Sequence, residues 1–382
     1  MNIALLTDSD VFAGTERHML DLAVELRALG EEPTLVCPGA GALAARAGAE
    51  GLRVKAAEKR GAVDPGLVGL IGQAWHTGEF DVVHAHNGRT ALHAALARTL
   101  APRGALVATQ HFLTPAREGR RGPGGVAGRM IHGAAGKLIN RHVAISRAVG
   151  DAMLTRGDTP PARLRVVLNG IRDPLDEPSP GREEAMGRWR KAGQPLIVCL
   201  ARLEPEKGLH TLIDAMESVA RRLPGAVCLV AGDGSLATEL QVGIDRLGTN
   251  PPVNLLGFVE DARSLLAAAD LCVLPSVAEP FGLSLVEAMA LGVPVVSTRA
   301  GGPPEIVREA ETGLLVPPGD APALADAIVS ILRDDEARAA MGRAARTDFL
   351  ERFTARRMAA EMLDVYRHIS GVQQEKVGAV GG

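Results

Sequence analysis

EPFGLSLVEAMALGVPVVST, residues 279–298, reads as loop, helix, turn and strand in immediate succession. Pro280 and Gly282 break the chain, and Leu283 to Leu291 has helix-forming composition. Gly292 can close that helix, and Val293 to Thr298 is apolar and β-branched. Glu279 then lies just before a helix N-terminus and Glu287 one turn inside it. The unbonded N–H groups of a first helical turn form a ready site for phosphate. Carboxylates beside such an anion pocket are useful if they bind something uncharged, and sugar hydroxyls fit that role. Taken alone, the two glutamates could equally be a turn cap and a solvated helix residue.

The strand and helix signals alternate on both sides of this stretch. Before it come strands at Ile3 to Thr7, Thr34 to Cys37, Asp81 to Ala85, Leu106 to Thr109, His142 to Ile145 and Val166 to Leu168. A first helix is expected over Thr15 to Leu29. From Ile171 to about Gly193 the chain turns polar and proline-rich, and then the alternation restarts. Strands Leu196 to Leu200, Ala226 to Ala231, Val253 to Leu256, Leu271 to Leu274 and Gly313 to Val316 interleave with helices Leu209 to Arg222, Leu236 to Leu247 and Ala262 to Ala268. Helices Ala321 to Arg333, Asp335 to Phe349 and Thr354 to Ile369 close the pattern. This β-α-β alternation predicts an α/β chain with parallel sheets covered on both faces.

Glu279, Phe281, Gly282, Glu287, Ala288, Gly292 and Pro294 together resemble the donor-site signature of retaining glycosyltransferase family 4. That resemblance implies the GT-B fold, two Rossmann-like doubly wound parallel-sheet domains facing a central cleft. The expected division is an acceptor-side domain over 1–172, a linker over 173–193 and a nucleotide-sugar-binding domain over 194–352. A C-terminal helix over 353–370 has the option of returning to the first domain, and 371–382 is a tail.

Bulk properties narrow the function. A chain of 382 residues exceeds what one compact core usually holds, so two domains are expected. Its 46% apolar and 23% charged content excludes wholesale disorder. A net charge of −3 and 3% aromatic residues give no reason to expect nucleic-acid partners or an aromatic-lined polysaccharide groove. Cys37, Cys199, Cys228 and Cys272 each fall in a short apolar run without a C-x-x-C pair, which predicts buried reduced thiols. MNIALLT enters a strand directly, and no span of about 20 apolar residues follows. A cytoplasmic protein is expected.

Ligands of open parallel sheets bind beyond the carboxyl ends of the strands. Arg202 follows PLIVCLA and Lys207 comes five residues later, just before a helix. A guanidinium and an ammonium converging on a diphosphate would offset the charge on a departing nucleotide. The spacing matches the family's R-x4-K pair. The resemblance further implies that Glu279 contacts donor-sugar hydroxyls, that Glu287 holds the ribose, and that the backbone at Phe281, Gly282 and Leu283 lies along sugar and phosphate. It places Phe258 and Val259, after Gly257, beside the base, and makes Gly232 a close-approach position. GDGSLA at 232–237 is a fragment of a dinucleotide motif, but its last position is alanine and no acidic residue stands at the end of the next strand, which argues against a nicotinamide site.

In the first half, Gly14 stands after strand one where family members usually carry two glycines; here the pair is Ala13-Gly14. Asp8 and Asp10 read as loop polarity rather than a metal site. His111 ends a strand, and the resemblance places it beside the transferred sugar. His84 and His86 share a face at a strand end, a spacing that could hold a metal, but the sequence offers no obvious third ligand. Ser146 is expected to cap a helix and Asn169-Gly170 to form a turn entering the hinge. The basic, glycine-rich segment Arg117 to Arg129 is expected as an acceptor-side loop, with anionic acceptors or the inner membrane leaflet as its candidate contacts.

The expected reaction is metal-independent and needs no cofactor. A nucleoside-diphosphate sugar (UDP first, then GDP or ADP) gives its sugar to a sugar, glycolipid or polysaccharide acceptor with retention. Arg202, Lys207, Glu279 and His111 are the candidate catalytic residues. The alternatives are a synthase or phosphorylase acting on small soluble sugars, and a non-enzymatic nucleotide-sugar sensor.

Overall fold

The computed structural model describes residues 1–57, 63–102, 104–113, 133–176, 182–189 and 193–371. The chain forms two compact units. The first comprises Met1–Ile145, Val149–Leu168 and the last helix from Ala355; the second comprises Ser146–Ala148 and Asn169–Thr354.

The first unit holds seven strands: β1 (Asn2–Leu6), β2 (Glu32–Cys37), β3 (Arg53–Ala56), β4 (Val82–Ala85), β5 (Ala105–Gln110), β6 (Arg141–Ala144) and β7 (Leu164–Val166). All pair in parallel, in the order β3-β2-β1-β4-β5-β6-β7. The chain winds outward from β1 in one direction, then restarts at β4 in the other. That reversal is the doubly wound pattern of dinucleotide-type folds, and it opens a crevice at the carboxyl ends of the two central strands.

The second unit repeats the scheme with β8 (Leu196–Leu200), β9 (Val227–Ala231), β10 (Val253–Gly257), β11 (Leu271–Leu274), β12 (Val295–Thr298) and β13 (Gly313–Val316). Their order is β10-β9-β8-β11-β12-β13, so its switch point lies between β8 and β11. Strands buried on both faces read as continuous apolar runs. LIVCL of β8 and LCVL of β11 are of this kind, and almost every residue in them is buried. Against them packs helix Leu209–Arg222, whose buried Leu212, Ile213, Met216 and Val219 form one helical stripe. All four cysteines are buried and unpaired with one another, and burial pushes the Cys199 thiol up to about 12.

Three features differ from the sequence expectation. β7 spans Leu164–Val166 rather than Val166 to Leu168: its register with β6 ends at the Ala144–Val166 pair, beyond which Val167 N–H returns to Ala144 O at 3.0 Å. β3, RVKA, had no apolar signal because this edge strand is largely exposed. Segment 173–193, read as a linker, belongs to the second unit and carries helix Arg182–Trp189. Trp189 Nε1 donates to Ser264 Oγ at 3.1 Å, and Asp173 takes both Arg346 guanidinium nitrogens at 2.8 and 2.6 Å. Helix Ala355–Ser370 lays Met358, Met362, Leu363 and Tyr366 against Met19, Leu22 and Leu26 of helix Gly14–Ala28 within the first unit. Residues 117–129 of the basic segment lie outside the described residues.

Candidate functional site

The loops after β8 and β11 meet at the switch point of the second unit. Lys207 ends a tight turn, Pro205–Lys207, and Glu279 lies in the loop that leads to helix Leu283–Ala290. Lys207 Nζ donates to Glu279 Oε2 at 2.7 Å, and Ser276 Oγ donates to the same oxygen at 2.8 Å. Both charged side chains are withdrawn from solvent, at 13% and 7% exposure. A charge-assisted bond in such surroundings contributes roughly 1.5–3 kcal/mol.

The loops are held in place by their own backbones. Glu279 N–H donates to Ala300 O at 3.2 Å and Gly302 N–H donates to Glu279 O at 2.8 Å, while Val277 N–H donates to Glu206 O at 2.9 Å. Thr298 Oγ1 donates to Ser276 O. Gly208 has φ +64°, and a Cβ there would stand 2.2 Å from Pro275 O. Only glycine lets the Lys207 turn come that close to the β11 loop.

Gly282, at φ +114°, opens helix Leu283–Ala290 with no side chain capping it. Leu285 and Val286 N–H return to Gly282 O, so the amides of Leu283 and Ser284 at the tip are the ones that face an incoming acceptor. Phe281 itself is core, packed edge-on against Phe353 with ring centroids 6.2 Å apart. Glu287 is half-buried inside the helix, close enough to Cys272 to help raise that thiol.

The structure therefore brings Lys207, Glu279 and the helix tip together. Arg202 does not join them by a bond among the described residues: its guanidinium is 60% exposed and pairs with Glu206 Oε1 at 2.6 Å. Gly232, at φ +145°, faces the chain itself, since a Cβ there would lie 1.9 Å from Ala201 O. Phe258 is 79% exposed after Gly257, and Val259 is half-buried. Sequence reasoning passed over Ser276, Gly208 and Gly302; a Cβ at Gly302 would meet Phe281 Cα at 2.5 Å. The only signal for the last was the GGPP run at 301–304.

The other candidates lie in the first unit. Gly14 is exposed and starts helix Gly14–Ala28. Ala13, where a second glycine was expected, has φ −135°, an extended backbone that any residue adopts. Its N–H donates to Glu16 Oε2 at 3.0 Å, which secures the helix start. Asp8 is held by Asn87 Nδ2 and Arg89 Nη1, each at 2.8 Å. Ser146 belongs instead to the second unit, where its Oγ donates to Pro280 O at 2.6 Å.

His111, beyond β5, is buried, and its Nε2 lies 3.2 Å from His86 Nδ1. His18, from helix Gly14–Ala28, sets its ring edge-on to His111 with centroids 4.9 Å apart. His84 is tied off on both sides: Nδ1 is 2.7 Å from Tyr366 Oη and Nε2 is 2.6 Å from Thr109 Oγ1. Burial first, and neighbouring histidines second, hold His84, His86 and His111 well below the ordinary imidazole range. These rings are neutral at neutral pH.

Residues 12–173 match the family described as Glycosyltransferase Family 4, and residues 181–348 the family described as Glycosyl transferases group 1. The glycogen synthase of Mycobacterium tuberculosis H37Rv is 32% identical over 297 residues, which cover 75% of this chain and 68% of that protein. The lipopolysaccharide core biosynthesis glycosyltransferase LpsE of Rhizobium meliloti is 38% identical over 161 residues, covering 41% of this chain and 46% of LpsE. The chain thus spans about half the length of some curated relatives, 59% in one case and 46% in another. The crystal structure of Anabaena Alr3699/HepE in complex with UDP-glucose superposes with a TM-score of 0.80 at 27% identity, covering 96% of this chain and 100% of that one. No described helix is long and apolar enough to cross a membrane.

Proposed function

We propose a donor and a reaction for an enzyme whose family is shown: the chain belongs to glycosyltransferase family 4 and has its GT-B type of fold, with two Rossmann-like domains. The donor is a nucleoside-diphosphate sugar, with a UDP-sugar favoured by the likeness to the UDP-glucose-bound Anabaena protein. The acceptor is a hydroxyl of a sugar, glycolipid or polysaccharide intermediate in surface-polysaccharide, lipopolysaccharide or glycolipid synthesis, in keeping with the lipopolysaccharide core biosynthesis role of the Rhizobium relative.

One observation carries this reading: a buried Lys207–Glu279 pair beside an uncapped helix tip at the switch point of a doubly wound sheet. The ammonium has further N–H donors beyond the one given to Glu279, and these serve the diphosphate. Arg202, freed from Glu206, supplies the second cation. Glu279 and Glu287 accept hydrogen bonds from the sugar and ribose hydroxyls. The backbone of Phe281, Gly282 and Leu283 follows the sugar and phosphate, with Gly232, Phe258 and Val259 on the base side. Within the first unit, His111, held neutral by burial, and Gly14 are the residues assigned to substrate. Transfer proceeds with retention and without a metal at the diphosphate, because fixed cations and helix-tip dipoles hold the leaving group.

Product formation from UDP-, GDP- and ADP-sugars tests the proposal. A UDP-sugar should be turned over, and Lys207→Met/Glu279→Gln, which neutralises both partners together, should lose at least about a hundredfold in rate. Undiminished turnover by that variant would remove the site.

A further inference from the structure

We propose that His18, His86 and His111 form a binding site for one borderline-soft divalent transition-metal ion, with Zn2+ as the leading candidate. The inference goes beyond the transfer reaction and does not depend on the donor assignment.

The three side chains come from separate elements: the helix after β1, the end of β4 and the end of β5. Each is buried, and their ligand nitrogens all lie within 4.8 Å of one another. Nitrogens bound to one tetrahedral zinc ion at 2.0–2.1 Å stand about 3.4 Å apart. His86 Nδ1 and His111 Nε2 already stand at 3.2 Å. The His18 nitrogen has to close from within 4.8 Å to about 3.4 Å to join that centre.

The other His86 nitrogen, Nε2, is buried with no hydrogen-bond partner among the described residues, and an ion held through Nδ1 leaves it outside the ligand set. The His86 ring lies against that of His84, with centroids 4.0 Å apart and planes tilted by 38°, and His84 is itself held by Tyr366 and Thr109.

The donor set selects the ion. Three imidazoles and no carboxylate suit Zn2+, Co2+, Ni2+ or Cu2+, whereas Mg2+, Mn2+ and Ca2+ prefer oxygen. Three protein ligands leave a fourth position open to water or a small anion.

The test is titration of the untagged, metal-free protein with Co2+, read by visible absorption, together with equilibrium dialysis against Zn2+. One equivalent of Co2+ per chain should bind, be displaced by Zn2+ and be unaffected by excess Mg2+. His86→Gln should abolish that equivalent, His18→Gln should weaken it at least tenfold, and exposed His210→Gln should leave it unchanged. Melting curves without metal establish that each variant is folded; should His86→Gln fail to fold, His18→Gln carries the test alone. No stoichiometric Co2+ uptake by the wild type, or uptake undiminished in folded His18→Gln, would overturn the proposal.

Discussion

Lys207 and Glu279 pair in a place withdrawn from solvent, at 13% and 7% exposure. Removing one partner leaves a nearly buried charge without its counterion, which costs about 3–5 kcal/mol. Lys207→Ala and Glu279→Ala should therefore each lower the urea midpoint of the second unit, and the Lys207→Met/Glu279→Leu pair should recover most of the loss. A double-mutant cycle by denaturant titration reads the coupling directly. Gly232→Ala should cost about 3 kcal/mol or more, since its Cβ would enter the carbonyl of Ala201 at 1.9 Å on a backbone with φ +145°. Lys207 and Glu279 were marked by the family's R-x4-K spacing and its donor signature, each just before its own helix. Ser276 was not, because a loop serine bonds whatever the fold brings to it.

Among the elements, those with a strong period were the easiest to read. Helix Leu209–Arg222 and strand Leu271–Leu274 fall where composition placed them, since one is amphipathic and the other is buried on both faces. Edge strand Arg53–Ala56 escaped because its side chains face solvent and carry no apolar alternation. Helix Arg182–Trp189 escaped because its low-hydropathy sequence resembles a linker until Trp189 finds Ser264. The last helix completes the core of the first unit through Met358, Met362, Leu363 and Tyr366. Burying each such side chain contributes about 1.5–3 kcal/mol. A chain ending at Thr354 should thus lose protection of strands β1 and β4 in hydrogen-exchange mass spectrometry, while Tyr366→Phe should cost about 1–3 kcal/mol, because it leaves the buried His84 Nδ1 without its partner.

At the scale of the molecule, each unit repeats the same winding, β3-β2-β1-β4-β5-β6 in one and β10-β9-β8-β11-β12-β13 in the other. That winding was legible as strand–helix alternation, and the switch-point site followed from it. The histidine group of the first unit was not legible, since His18 meets His86 and His111 only through tertiary packing. It gives the first unit a pH dependence of defined sign. His84, His86 and His111 have folded pKa values below those of the unfolded chain, so the unfolded chain binds more protons as pH falls below about 6.5. Stability is fully present above that pH. Below it, each of the three contributes a loss approaching 1.4 kcal/mol per pH unit, continuing down to its folded pKa. With EDTA present, exchange protection of first-unit strands should fall between pH 7 and about 5.5, more steeply than that of the second unit.

Isothermal titration of UDP-glucose into the wild type and into folded Lys207→Met/Glu279→Gln addresses the donor site itself. One molecule should bind per wild-type chain, and the variant should bind at least about tenfold more weakly, the loss of one charge-assisted contact. Equal affinity in the two proteins would contradict the assignment of that pair to the diphosphate and sugar.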